Sequence, residues 1–164
     1  MTAPALNKVV ADFACPATGD KTVRLRSLRG KKVVLYFYPK DSTPGCTTEA
    51  QDFRDLHGKF QRAGAIILGV SRDSIASHEK FREKMKLPFD LLSDPDEKLC
   101  RQFNVIREKS LYGRKFLGVE RSTFLIDDNG KLREEWRKVK VKGHAAAVLE
   151  AVKNLQDATG SRLA

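Results

Sequence analysis

An α/β fold, with a central mixed sheet flanked by helices, is predicted by three features of the sequence. Short apolar runs of strand character alternate with segments whose apolar residues recur every three or four positions. The run Val33-Val34-Leu35-Tyr36-Phe37 is nearly continuous, as expected of a strand covered on both faces. Late in the chain, Asp128-Asn129-Gly130 joins two more strand candidates by a hairpin turn, which ends the sheet in an antiparallel edge.

Taken in order, Lys8-Val9-Val10 and Thr22-Val23-Arg24-Leu25 are short strand candidates, and Lys31 to Tyr38 is the first strong strand. Pro39 ends it, because proline has no N–H to give to a ladder. After the polar loop Lys40-Asp41-Ser42-Thr43-Pro44-Gly45, the spacing of Ala50, Phe53, Leu56 and Phe60 predicts a helix from about Cys46 to Ala63, stopped by Gly64. Ala65 to Val70 reads as a buried strand. Ser71-Arg72-Asp73 caps a helix over Ser74 to Lys86, striped by Ile75, His78, Phe81 and Met85. Phe89 to Leu92 is a third strand, and Pro95 suits the first turn of a helix reaching Phe103. Strands at Ser122 to Ile126 and Leu132 to Val139 flank the hairpin, and a last helix runs from about His144 to Gln156. A thioredoxin-like fold is the natural candidate for this order, although several relatives share the pattern.

The length of 164 residues suits a single domain spanning the chain, and 41% hydrophobic with 32% charged residues supplies one core beneath a well-solvated surface. No apolar run approaches the roughly 20 residues of a membrane span. The opening Met1-Thr2-Ala3-Pro4-Ala5-Leu6-Asn7 lacks the basic head and apolar stretch of a secretory signal, so a soluble, cytoplasmic protein is expected. Lysine and arginine outnumber acidic residues 31 to 21, for a net charge of +10. That excess is spread over both halves, densest at Lys21 to Lys32 and Lys131 to Lys142, with few aromatics between. It reads as a solvating surface, with weak salt-sensitive nucleic-acid binding as the minor alternative.

Three cysteines, Cys15, Cys46 and Cys100, make an odd count with no Cys-x-x-Cys pair. A zinc ribbon and a dithiol centre are therefore disfavoured, and free thiols in a reducing compartment fit better. Cys46 stands out. It falls in the first turn of a helix just beyond the carboxyl end of a buried strand, where exposed N–H groups and the helix dipole favour a thiolate. Thr43, three residues earlier, can aim a hydroxyl at a small ligand on the sulfur. A cysteine that merely fills a helix N-terminus meets the same description. His57, His78 and His144 read as helix-surface, stripe and cap residues, so no metal site is expected from them.

The segment Pro39-Lys40-Asp41-Ser42-Thr43-Pro44-Gly45-Cys46 resembles the Pro-x-x-x-Thr-x-x-Cys motif of peroxiredoxins. Its setting, from Phe37-Tyr38 through Thr47-x-Glu49-Ala50, resembles the Q-type branch, also called bacterioferritin comigratory protein. The resemblance continues through Gly69-Val70-Ser71-x-Asp73-Ser74, Ser77-His78-x-Lys80-Phe81, Leu91-Leu92-Ser93-Asp94, Arg121-Ser122-Thr123-Phe124-Leu125-Ile126-Asp127 and Gly130-Lys131, nearly the whole chain.

The resemblance implies a thioredoxin-like peroxiredoxin domain that reduces hydrogen peroxide and organic hydroperoxides with no cofactor. Cys46 would become a sulfenic acid. Arg121 would favour the thiolate and polarise the leaving oxygen, and Thr43 with the Gly45 and Cys46 amides would hold the peroxide. Pro39 would shield the sulfur, and Glu49 would orient an arginine. Many Q-type relatives carry a resolving cysteine five residues after the first, where this chain has Gln51. A second subgroup places it in the helix read as Ser74 to Lys86, which has none. Cys100 and Cys15 are the only remaining resolving candidates, one on the buried side of a helix and the other in a loop before Pro16. A one-cysteine cycle is therefore expected, with thioredoxin, glutaredoxin or a small thiol as external reductant. The resemblance also suggests a monomer. Two alternatives remain at this point: a thiol–disulfide exchange protein, which the missing Cys-x-x-Cys opposes, and a basic nucleic-acid-binding module.

Overall fold

The computed structural model describes residues 3–155. β1 (Ala14–Ala17) and β2 (Lys21–Arg24) form an amino-terminal hairpin, followed by one turn of 3-10 helix over Leu25–Leu28. Then come β3 (Lys32–Phe37), α1 (Pro44–Arg62), β4 (Ala65–Ser71), α2 (Ile75–Met85), β5 (Asp90–Ser93) and α3 (Lys98–Gln102). A second hairpin, β6 (Ile106–Leu111) and β7 (Arg114–Val119), precedes β8 (Ser122–Ile126), β9 (Leu132–Trp136) and α4 (His144–Asn154). The predicted end of the last helix, Gln156, lies outside the described residues.

Seven strands form one sheet in the order β2-β1-β5-β4-β3-β8-β9, and β6 with β7 form a separate two-stranded ribbon. β3, β4 and β5 are parallel neighbours connected through α1 and α2, whereas β8 joins β3 antiparallel. The sheet is mixed, as predicted, because only the crossover helices allow parallel pairing and the carboxyl-terminal hairpin cannot. Every residue of β3 is buried. Its side chains alternate between two cores. Val34 and Tyr36 face Phe53 and Phe60 of α1, Phe81 of α2 and Val148 and Val152 of α4. Val33, Leu35 and Phe37 face Leu99, Cys100, Phe103 and Phe124.

Three expectations need correction, and one pair of strands was not foreseen. Cys15 is not in a loop but in β1, buried, with its thiol donating to the Ser93 carbonyl at 3.3 Å. Pro16 beside it obscured the strand, yet β1 pairs with β5 only through Ala17 and Leu92, so a residue without an N–H breaks little of that ladder. The helix expected from Pro95 starts at Lys98, because Glu97 takes a left-handed backbone (φ 62°). Lys8 to Val10 makes only an isolated bridge, Val9 to Lys131. The β6–β7 ribbon carries no strong sequence signal, since Arg107-Glu108-Lys109-Ser110 and Arg114-Lys115 alternate no apolar face. Its two-residue turn, Tyr112 (φ 52°) and Gly113 (φ 77°), has the positive dihedrals of a tight hairpin.

Candidate active site

The site is assembled where the carboxyl end of β3, the amino end of α1 and the amino end of β8 meet. Thr43 is the N-cap of α1 and Pro44 stands in its first turn, where a missing N–H goes unnoticed. Gly45 and Cys46 follow, and their amides belong to the helix end that has no carbonyl to bond within the helix. Cys46 is only 2% exposed. Thr43 donates its hydroxyl to the Lys40 carbonyl at 2.8 Å, so the oxygen lone pairs stay available to a donor.

Sheet register brings in the partner. Phe37 of β3 lies opposite Ser122 of β8, which places Arg121 beside the end of β3 and next to Cys46. Arg121 Nη2 donates to Cys46 Sγ at 3.4 Å, and Nη1 donates to Glu49 Oε1 at 2.6 Å. Glu49 sits one turn after Cys46 on the same face of α1 and is buried. Arg121 pays for its burial in proton affinity, but the Glu49 carboxylate and the Cys46 sulfur outweigh that and hold its charge firmly. A unit charge at such a distance attracts an anionic sulfur by on the order of 4 kcal/mol at the effective dielectric of a partly buried site. Burial pushes the Glu49 carboxyl up to about 7, against the pull of Arg121. Its Oε2, and the hydroxyl of Tyr36 on β3, have no hydrogen-bond partner among the described residues.

Gly45 makes the arginine's approach possible. A Cβ built there would lie 3.1 Å from Arg121 Nη2. Gly45→Ala is expected to push the guanidinium off the sulfur and lower kcat/KM for peroxide by about tenfold, with unchanged thermal stability. Peroxide kinetics beside a melting curve check this. Pro39, half-buried, lies in the loop between β3 and α1.

A buried polar cluster that the sequence did not reveal anchors this loop. Asp41 accepts from Tyr38 Oη at 2.6 Å, Ser77 Oγ at 2.8 Å and His78 Nδ1 at 2.7 Å. The other ring nitrogen of His78 faces the Leu92 carbonyl at 2.8 Å, so both ring nitrogens are engaged. The Asp41 amide donates to Asp73 Oδ2 at 2.9 Å. The loop between β3 and α1 is thus tied to α2 and to the ends of β4 and β5. Ser42, next in line, is left-handed (φ 62°), a conformation the anchor must enforce. His78 reads from sequence as one more stripe residue, and its partner lies 37 positions away. Asp41, Asp73 and His78 are also the one group among the described residues whose ligand atoms gather within 4.8 Å, but those atoms are engaged with one another and with serine, tyrosine and backbone groups.

Burial alone would raise the Asp41 carboxyl; the bonds from His78, Tyr38 and Ser77 and the His78 charge hold it below its ordinary 3.8 instead. A carboxylate depressed in the folded state stabilises the fold above its unfolded pKa and loses that contribution as pH falls through the folded value. Asp41→Ala is expected to cost about 3–5 kcal/mol near neutrality, since it strands His78 in the core. The deficit should shrink when urea midpoints are measured from pH 5 down to pH 3.

The other predicted residues lie elsewhere. Cys15 and Cys100 are buried free thiols in the core on the opposite face of the sheet from Cys46. Burial, aided by the Asp94 charge, pushes the Cys15 thiol up to about 12 and raises Cys100 still further. His144 is not a cap; Gly143 occupies that place. It is the first helical residue, bonded to Thr123 Oγ1 at 2.8 Å, and burial with the Arg121 charge lowers it to about 4. Within the two basic stretches, Lys21 pairs with Asp90, Arg26 with Asp12, Arg133 with Asp127 and Arg137 with Glu135.

The AhpC/TSA family profile matches residues 6–135. Peroxiredoxin Bcp of Xanthomonas campestris pv. campestris is 54% identical over 155 residues, covering 93% of this chain and 97% of that protein. Peroxiredoxin Bcp of Bacillus subtilis is 54% identical over 146 residues, covering 89% and 93%. Among solved structures, Xanthomonas campestris peroxiredoxin Q superposes with a TM-score of 0.83 at 55% identity, over 86% of this chain and 89% of that one. A second, of the bacterioferritin comigratory protein of Xanthomonas campestris and described for its alkyl peroxide reduction activity, gives 0.83 at 54% identity, over 86% and 90%.

Proposed function

Because this chain belongs to the AhpC/TSA family, as a thiol-dependent peroxidase of thioredoxin-like fold, we propose that Cys46 is its nucleophile and Arg121 the group that activates both sulfur and peroxide. The observation that carries this is the guanidinium bridging Cys46 Sγ and Glu49 Oε1. The Cys46 thiolate attacks the terminal oxygen of a hydroperoxide, the S–O bond forms as the O–O bond breaks, and the departing alkoxide or hydroxide takes up a proton to leave as alcohol or water. Thr43 accepts the peroxide hydrogen, and the Gly45 and Cys46 amides donate to its oxygens. Arg121 meets the negative charge that develops on the leaving oxygen. Pro39 keeps water from the sulfur. Glu49 holds Arg121 in place.

The sulfenic acid is then cleared by a one-cysteine route. A thiolate is the resolving species, and both Cys15 and Cys100 are buried thiols with raised pKa. An external thiol (thioredoxin, glutaredoxin or a small thiol) forms a mixed disulfide with Cys46 and releases water, and a second thiol restores Cys46. Hydrogen peroxide and alkyl hydroperoxides are the substrates, as alkyl peroxide reduction is for the Xanthomonas campestris relative. Among the described residues no helix is long and apolar enough to cross a membrane. We place the protein in the cytoplasm, as a monomer formed by one peroxiredoxin domain. The test is non-reducing intact mass after one equivalent of hydrogen peroxide. One added oxygen, trapped by a sulfenate reagent, is expected; loss of two hydrogens or a covalent dimer would overturn the one-cysteine route.

A further inference from the structure

The β6–β7 ribbon exposes much of the molecule's unpartnered apolar surface. Leu111, Tyr112 (96% exposed), Phe116 and Leu117 all sit on it, out of six large apolar side chains exposed among the described residues. The antiparallel register sorts the ribbon into two faces, because paired residues and alternate residues share a side. Arg107, Lys109 and Leu111 lie on one face, opposite Gly118, Phe116 and Arg114. That face carries three cations, two exposed apolar side chains and no carboxylate. The reverse face has the acidic residue, Glu108, paired with Lys115 at 3.6 Å.

One cation of this face, Lys109, lies near the reacting sulfur. Lys109 is half-buried; burial and then the charges of Arg121 and Arg72 loosen its proton, while the Cys46 sulfur opposes them. The ammonium is therefore within electrostatic reach of the site. β7 ends two residues before Arg121, so the ribbon and the arginine share one stretch of backbone.

We propose that this face of the β6–β7 ribbon is the docking surface for the protein dithiol that reduces oxidised Cys46, a partner whose rim around its own thiol is acidic and apolar. The inference rests on the reading of Cys46 as a sulfenate-forming nucleophile served by an external thiol. Cys46 is only 2% exposed, so a thiol carried on a protein can reach it only when the surface around that thiol is seated close by, whereas a small thiol enters unaided. Leu111 and Phe116 supply apolar contact for such a surface, and Arg107, Lys109 and Arg114 supply orientation and rate of encounter. The partner's thiolate attacks the Cys46 sulfur, hydroxide leaves and takes a proton as water, and a mixed disulfide remains. The partner's second thiol then displaces Cys46, leaving the partner oxidised and Cys46 reduced. A small thiol uses none of these contacts, which separates docking from chemistry.

The experiment measures hydrogen peroxide turnover driven either by thioredoxin with its reductase and NADPH, or by dithiothreitol. The variants are the double substitutions Leu111→Ser with Phe116→Ser, and Arg107→Glu with Arg114→Glu. In each, kcat/KM for thioredoxin is expected to fall roughly tenfold or more, while dithiothreitol-driven turnover stays within about twofold of wild type. Added salt should slow the thioredoxin reaction of wild type but not that of the charge-reversed variant. Thioredoxin rates unchanged in both variants, an equal fall with both reductants, or a wild type that dithiothreitol recycles and thioredoxin does not, would each overturn the docking surface. A wild type that consumes no peroxide even with dithiothreitol overturns the peroxidase reading beneath it.

Discussion

Cys46→Ser is expected to remove peroxide consumption, with a loss of at least about 10³-fold in kcat/KM. The serine hydroxyl is far less acidic than a thiol, so Arg121 and the amino end of α1 have no anion to stabilise at neutral pH. The fold should persist, because the exchange alters one atom in a helix whose packing rests on Ala50, Phe53 and Phe60. Stopped-flow peroxide kinetics and a melting curve together check this. Retained activity in Cys46→Ser, lost instead in Cys15→Ser or Cys100→Ser, would move the nucleophile to the other core. Neither buried thiol is suited to that task.

Arg121→Met is expected to lower kcat/KM about 10²–10³-fold, since it removes a charged donor aimed at the sulfur and, in the proposed reaction, at the leaving oxygen, while keeping the side chain's bulk. It also leaves Glu49 buried without its ion pair, so part of the change will appear as lost stability. Glu49 separates the two effects. Because its carboxyl ionises near pH 7, the Arg121 anchor becomes fully ionic only as pH rises through that value. Activity should climb over that interval, and Glu49→Gln should flatten the Glu49 component of the climb. Stability runs the other way: a carboxyl raised from 4.5 to about 7 on folding favours the folded state below 4.5 and loses that contribution as pH rises through 7. An optimum set by these opposed trends is a sharper signature than a rate loss alone.

The candidate residues legible from the chain itself are those gathered by local geometry, while Arg121 was named only through the resemblance. Pro39, Thr43, Gly45, Cys46 and Glu49 fall on one strand end, one loop and one helix turn, and the structure keeps them in one neighbourhood. The main strands and helices from β3 to β5, with β8, β9 and α4, were likewise legible because their apolar spacing matches a pleat or a helix turn. β1 and the β6–β7 ribbon were not. Pro16 disguises the first, and the second lacks the buried face from which a strand pattern is read.

By itself the sequence determined the order of the main strands and helices, the placement of Cys46 in the first turn of a helix after a buried strand, and the resemblance to the family. Tertiary structure decided what requires two distant segments to meet. Arg121 reaches Cys46 across 75 positions because β8 pairs with β3 in one register. A shift of one residue would turn its side chain to the other face of the sheet. His78 reaches Asp41 because α2 packs into the same core as Tyr38, beside the loop that follows β3. The high pKa of Cys15 and Cys100 likewise comes from burial, not from spacing in the chain. Pairing register and burial are properties of the assembled sheet, and periodicity within a single segment does not contain them.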